Sequence, residues 1–335
     1  MDNKFWVIGE ITAMKKQTQR EKNPFPYSDS NKRYHTFDYY MKKRFGGKCA
    51  KISLDAGFSC PNIDGTKGKG GCIYCSGGSS GAKAGDTLSA QYKNGVRAVA
   101  SKWDVERFVP YLQAHTNTYA PLEKLEEVYN TCASFDGAVM LAVATRADCL
   151  SDDVVELLLR TSKKIPLTVE LGLQSIHDET AKRINRGHSY KEFTDGYEKL
   201  RSAGGDISLC IHLINGLPGE DRNMMLESAK TVAELSPDMV KLHLLHILKD
   251  TPLEKMYLSG AYVPMDKDEY VNLAADQIEL FDPRTVIARV TGDAPGDSLV
   301  APLWCRRKTV VANDIDKELY RRNTWQGINN RQNVP

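Results

Sequence analysis

Polar residues, many of them lysine and arginine, dominate the first 45 positions, and 23–32 is a Pro/Ser/Asp/Asn stretch with no apolar period. Such a stretch reads as a linker or mobile arm. From Ala50 the pattern changes to short apolar runs alternating with amphipathic stretches. Strands are expected at 51–54, 108–112, 139–144, 167–171, 207–214, 239–245 and 286–290, and helices at 88–102, 122–131, 152–160, 191–203, 224–235 and 266–280. Several of the strand runs are apolar on consecutive positions, as parallel strands covered on both faces are. Repeated βα units imply right-handed crossovers. If the sheet closes into a full or partial barrel, function belongs at the C-terminal strand ends. A doubly wound open sheet is the structural rival.

The expected fold class is therefore α/β, a partial (β/α)6-type barrel at 46–300. It is flanked by a basic, partly mobile N-terminal extension at 1–45 and a C-terminal extension at 301–335 with a helix near 313–322. A length of 335 residues suits one large core. Forty-five Lys and Arg against 43 Asp and Glu leave a formal charge of +2, so any nucleic-acid site would be a local patch. No apolar run approaches a membrane span, and the N-terminus lacks the apolar core of a signal peptide, so the expected location is the cytoplasm. Eight cysteines are too few for a disulfide scaffold of this length, and a close cluster in a reducing compartment points to metal or catalysis.

Three cysteines do cluster: Cys60, Cys72 and Cys75, spaced Cys-x11-Cys-x2-Cys on a loop with glycines at 65, 68, 70 and 71. Glycine permits the tight wrap that brings three thiols to one soft metal centre. Spacing alone leaves an iron-sulfur cluster and a structural zinc, completed by Cys49 or a histidine, equally placed. Three protein thiolates would leave one iron of a four-iron cluster open for a ligand.

Cys-Ile-Tyr-Cys-Ser-Gly-Gly at 72–78 resembles the signature of the radical S-adenosylmethionine (radical SAM) superfamily, and the long first interval resembles the radical SAM core of the Elongator catalytic subunit. From about Arg33 onward the chain is most similar to the YtqA/YhcC-type bacterial radical SAM proteins, with Phe-Val-Pro-Tyr-Leu-Gln-Ala-His-Thr-Asn-Thr-Tyr-Ala-Pro at 108–121 and Ala-Pro-Leu-Trp-Cys at 301–305. The resemblance implies a [4Fe-4S] cluster on Cys60, Cys72 and Cys75. It also implies S-adenosylmethionine at the open iron, cleaved by one electron to a 5′-deoxyadenosyl radical. The electron would come from a donor such as flavodoxin or ferredoxin.

By the same resemblance Tyr74 would lie beside the adenine, and Gln174 and Arg186 would meet the ribose and the methionine carboxylate. Glu170 and His212 would belong to the cofactor site, His212 standing where relatives often carry an acid. The second strand ends in Gln113–Tyr119 without the usual Gly-Gly pair, which makes Thr118 the candidate there. Ordinary explanations compete: core packing for Tyr74 and His212, a hydroxyl-capped turn for Thr118, a solvated pair for Gln174 and Arg186. His243, His246, Arg289 and Asp293 fall near the ends of late strands, where barrel sites form, with no role assigned.

Basic groups at Lys42-Lys43-Arg44, Lys48, Lys51, Lys67, Lys69 and Arg306-Arg307-Lys308, with Tyr34, Tyr39 and Tyr40 nearby in sequence, could hold RNA, although charge runs are commonly solvated faces. The Elongator resemblance implies transfer RNA as partner and the C5 substituent of the wobble uridine as target, for example carboxymethylaminomethyl converted to aminomethyl. Acetyl transfer is not expected, because too few residues follow the barrel for a second catalytic domain. A small-molecule radical SAM enzyme and a zinc-stabilised RNA-binding protein are the rival readings.

Overall fold

The computed structural model describes residue 25 and residues 31–76, 86–292 and 296–330. Nine strands occur among them: β1 (Cys49–Leu54), β2 (Arg107–Leu112), β3 (Leu141–Thr145), β4 (Leu167–Gln174), β5 (Ile207–Asn215), β6 (Met239–Leu244), β7 (Ile247–Leu248), β8 (Val286–Arg289) and β9 (Leu299–Ala301). β1 to β6 and then β8 form one parallel sheet in chain order, and β7 pairs with β9 as a short antiparallel ribbon. An order that never reverses has no switch point, which rules out the doubly wound rival.

The sheet is strongly curved. Neighbouring strands lie about 4.8 Å apart, so β2 and β6, four strands apart, would be separated by about 19 Å in a flat sheet. Yet the Lys241 ammonium of β6 is 3.3 Å from the Tyr111 hydroxyl of β2. The result is a partial barrel of the six-stranded kind, extended by β8.

Ten helices appear among the described residues: α1 (Phe37–Phe45), α2 (Leu88–Ala100), α3 (Leu122–Ala133), α4 (Asp152–Ser162), α5 (Asp178–Arg183), α6 (Tyr190–Ala203), α7 (Arg222–Glu234), α8 (Pro252–Leu258), α9 (Lys267–Leu280) and α10 (Lys308–Arg321). Side-chain caps fix most of the starts that follow strands. Ser151 caps α4, Asp221 caps α7, and Ser189 with Glu192 forms a capping box on α6. Outward strand residues such as Val143, Val169, Ile211 and Leu242 join helix residues such as Leu157, Phe193 and Ala229 in the main core.

The sequence reading placed no element before Ala50, but α1 is a capped helix that closes the floor of the barrel. Its Phe37, Tyr40 and Met41 pack on inward residues of β2, β3, β5, β6 and β8, including Val109, Ala142 and Val286. Just before it, the Thr36 backbone bridges to Ile287, and the His35 N–H donates to the Gln326 side chain 2.8 Å away. The described parts of both terminal extensions thus meet along the β8 edge.

Candidate active site

The cysteine loop leaves the C-terminal end of β1 and is stapled to the segment after α5. Asn185 sits in the left-handed region (φ 53°), and its amide donates to the carbonyls of Lys69 at 3.0 Å and Gly71 at 2.7 Å. Ile73 N–H donates to Ile184 O, and the Asn62 amide donates to Asn185 O. Lys67 reaches Asp148 at 2.7 Å, and Asp148 makes a bidentate pair with buried Arg146, whose guanidinium also donates to the carbonyls of Arg186 and Gly187. Burial opposes ionisation of Asp148, but the Arg146 and Lys67 contacts override it and hold its carboxyl well below the usual range.

All three thiols of the loop face one cavity of about 230 Å³, shared with Tyr74, His115, Thr116, Arg146, Gln174 and Arg186. Cys72 is buried, with the Asn62 amide 3.7 Å and the Arg186 guanidinium 3.9 Å from its sulfur. Cys49, the alternative fourth ligand, lies at the opposite end of β1 and donates to Gly47 O. A zinc completed by Cys49 is therefore not built here.

The wall facing the thiols comes from the end of β4. Its pairing with β5 slips between Gly172 and Gln174, and Gln174 takes φ 76°, which turns its side chain toward Arg186. A Cβ on Gly172 would stand 2.6 Å from the Gln174 amide nitrogen and 3.0 Å from an Arg186 guanidinium nitrogen, so only glycine leaves room for both. The Gln174 carbonyl oxygen and the Arg186 Nε are buried without partners.

Below this wall a charged network fills the barrel. Glu170 is fully buried. One carboxylate oxygen accepts from Lys51 at 2.7 Å, and the other accepts from Tyr111 at 2.6 Å, His212 at 3.0 Å and Lys241. Burial alone would raise the Glu170 pKa, but Lys241 and Lys51 override it and hold the group ionised. Burial and the Lys241 charge bring His212 down to about 4, and burial lowers Lys241 to about 8. Glu170, Cys210 and His212 bring ligand atoms within 4.8 Å of one another, but two ammonium groups on the same carboxylate oppose a cation there.

Residues 65–232 match the Radical SAM superfamily model, and 237–321 match the Radical_SAM C-terminal domain. Protein YtqA of Bacillus subtilis is 44% identical over 310 residues, 92% of this chain and 96% of its own length. Protein YhcC of Escherichia coli K12 is 34% identical, covering 83% and 90%. This chain belongs to the radical SAM superfamily. More distantly, a tRNA uridine(34) acetyltransferase of Methanocaldococcus infernus is 27% identical over 53% of this chain and 33% of its own length. The Methanocaldococcus infernus Elp3 structure, with its N-terminus deleted, aligns with a TM-score of 0.63 at 18% identity, over 83% of this chain and 64% of that one, which supports the partial-barrel fold.

Radical SAM enzymes carry a [4Fe-4S] cluster and bind S-adenosylmethionine, and the residues present fit both groups. Three cysteines converge on one cavity, with the Asn62 amide and the Arg186 guanidinium beside the Cys72 sulfur. The unpartnered amide oxygen of Gln174 and Nε of Arg186 are an acceptor and a donor of the kind a ribose and a carboxylate require.

Several sequence expectations change. The Thr118 hydroxyl is buried against Thr145 at 2.6 Å and the Cys149 carbonyl at 2.8 Å, and it lines a separate groove of about 910 Å³ beside α6. It ties the turn after β2 to the segment after β3, and Thr116 is the threonine that borders the cavity of the three cysteines. Glu170 borders the cavity, but four donors occupy its carboxylate, so it organises the barrel floor rather than offering a free acceptor. Tyr74 borders the cavity and packs against the cluster of Ile184, Leu217, Leu253 and neighbours. The His212 and His243 rings lie tilted to one another inside the barrel, centroids 5.1 Å apart, His246 flanks them at Gly292, and Asp293 lies outside the described residues.

Asn62, Thr116, Arg146, Asn185 and Lys241 escaped sequence reasoning. For Asn185 a signal existed: Asn-Arg-Gly directly after a short helix is a chain reversal that asks for left-handed backbone.

Proposed function

We propose that Cys60, Cys72 and Cys75 hold the [4Fe-4S] cluster, and that the enzyme modifies the C5 substituent of the transfer-RNA wobble uridine, converting carboxymethylaminomethyl to aminomethyl, with water added and the two-carbon unit leaving as glyoxylate while S-adenosylmethionine, reduced to methionine and 5′-deoxyadenosine, takes up the two electrons. The observation that carries the radical half is the single cavity uniting the three thiols with the open polar atoms of Gln174 and Arg186. The substrate half leans on the similarity to a relative named for uridine 34 of tRNA. When bound, the cofactor supplies chemistry able to remove a hydrogen atom from an unactivated C–H bond, for which side-chain acids and bases have no handle.

The chain's own residues then bind and orient. The Arg186 guanidinium would pair with the methionine carboxylate of S-adenosylmethionine, the Gln174 amide oxygen would accept from a ribose hydroxyl, and the Tyr74 ring would offer a face to adenine. Asn62 and Asn185 hold the loop on the cavity. A flavodoxin- or ferredoxin-type protein would deliver the electron.

One observation favours a small-molecule substrate instead. Much of the basic surface is internally paired, with Lys42 on Asp38, Arg44 on Asp206 and Lys67 on Asp148, while Lys51 lies on Glu170 inside the barrel. Two measurements decide. Reconstitution with iron and sulfide under anaerobic conditions should give 5′-deoxyadenosine from S-adenosylmethionine with wild type and none with Cys72→Ala. A deletion strain should accumulate the carboxymethylaminomethyl nucleoside in its tRNA. An unchanged nucleoside profile, or tRNA binding that ignores salt, would sink the RNA half and leave the small-molecule reading.

A further inference from the structure

Strand register assembles a cationic face on the inner surface of the barrel, next to the thiol cavity. Gly172 of β4, His212 of β5 and Lys241 of β6 lie side by side in one row on the inner surface. An extra residue in β8, where the register jumps from Ile287 to Arg289, places Arg289 opposite Lys241. Directly paired residues share a face, so this irregularity aims the guanidinium side of β8 inward. Lys51 reaches the same region from β1, across the barrel.

Glu170 takes up both ammonium groups, Lys51 on one oxygen and Lys241 on the other, so among the described residues one carboxylate answers these two lysines. Two lysines against one carboxylate leave the described part of this face with more positive than negative charge in a low-dielectric interior, an arrangement that favours an incoming anion. His243, one step along β6, has its Nε2 buried without a partner, 5.1 Å from the His212 ring by centroids. This face is continuous with the thiol cavity, because Glu170 and His212 border that cavity together with Cys60, Cys72 and Cys75. A substrate lying against the cofactor would meet it.

We propose that this face receives a carboxylate of the substrate, with the Lys241 and Lys51 charges attracting it and the His243 Nε2–H donating to it. The inference rests on the reading above for the identity of the group, the carboxymethyl end of the wobble substituent. The face thus sets specificity: the carboxylated substituent is held, and the aminomethyl product, which lacks the anion and is itself a cation, is released.

The experiment uses the full-length protein with histidine side chains observed by NMR, the signals assigned through His212→Gln and His243→Gln. Acetate is the carboxylate probe and inorganic phosphate the second anion. Calorimetry compares the nucleosides 5-carboxymethylaminomethyluridine and 5-aminomethyluridine. Acetate should shift the His212 and His243 signals in wild type, with the shift lost in Lys241→Met and in Lys51→Met. Lys51 is partly exposed, so the second variant serves if the first does not fold.

The carboxylated nucleoside should bind about tenfold or more tightly than the aminomethyl one, the size of one charge-assisted hydrogen bond, and the lysine variants should bring that ratio to near one. Histidine signals unmoved by acetate, or moved by phosphate and not by acetate, would overturn the carboxylate site. Acetate shifts that depend on the lysines, without preference between the nucleosides, would uphold the carboxylate site and overturn the wobble-uridine reading.

Discussion

Replacing Glu170 with glutamine tests whether the interior network holds a carboxylate charged against two lysines. The substitution keeps the shape and leaves an oxygen for Tyr111 and His212, but it strips the counter-charge from Lys241 and Lys51. Removing one partner of a buried ion pair costs about 3–5 kcal/mol. At about 2.1 cal/mol/K per residue the unfolding entropy is about 0.7 kcal/mol/K for a chain of this length, so the melting temperature should fall by about 4–7 °C.

The pH dependence is more diagnostic. Burial, only partly offset by Glu170, lowers the native pKa of Lys241 from 10.5 to about 8. Between those values the unfolded chain binds a proton that the native one does not, so wild-type stability rises with pH there, and it is flat in this respect below pH 8. Without Glu170 the native Lys241 pKa drops further, and the rise begins at lower pH. The gap between variant and wild type should then narrow by about 1.4 kcal/mol from pH 7 to pH 8 and stay constant above. Urea denaturation of the metal-free, reduced protein at pH 6.5, 7, 8 and 9 measures it. A loss under about 1 kcal/mol, or one that ignores pH, would refute the network as described.

Three further outcomes follow from the loop and the cradle. Asn185→Ala removes two hydrogen bonds to the cysteine loop and leaves alanine in left-handed backbone, at a cost of about 2–3 kcal/mol. Cys72 should be alkylated several-fold faster in the apo variant, and an unchanged rate would show that the asparagine does not hold the loop. Asp148→Asn should flatten the acid limb of stability. The wild-type carboxylate contributes above its unfolded value of 3.8 and loses that contribution as pH falls through its depressed native value. Identical acid unfolding of the two proteins below about pH 4 would contradict the Arg146–Asp148–Lys67 account. Gly172→Ala should fold yet bind S-adenosylmethionine about tenfold or more weakly in equilibrium dialysis, because its methyl displaces Gln174 and Arg186. Unaltered affinity would remove those two residues from the cofactor's contacts.

The β/α alternation was legible because parallel strands under helices need apolar residues on their outward face, and those runs punctuate the chain from β1 onward. The plug helix α1 was not, because Phe-Asp-Tyr-Tyr-Met-Lys-Lys-Arg-Phe sits in a basic segment, and nothing local shows that its aromatic face meets the inside of a barrel. Lys51 was grouped with surface lysines for a related reason: charge in a short strand reads as exposure unless the strands are compared.

Comparing them exposes the missed signal. Lys51, Glu170, His212 and Lys241 each set a titratable side chain inside a short, largely buried strand, and in a curved sheet covered by helices on its outer face such side chains meet inside. Four buried strands each spending an inward position on a polar side chain is costly unless those side chains pair, so the pattern itself argues for an interior network before any coordinates exist. Thr118 failed at finer scale. His115 turns left-handed at φ 59°, which reverses the alternation expected after β2 and hands the cavity to Thr116. A single backbone dihedral at a strand end decides which of two threonines borders the thiol cavity, and residue-type pattern carries no record of it.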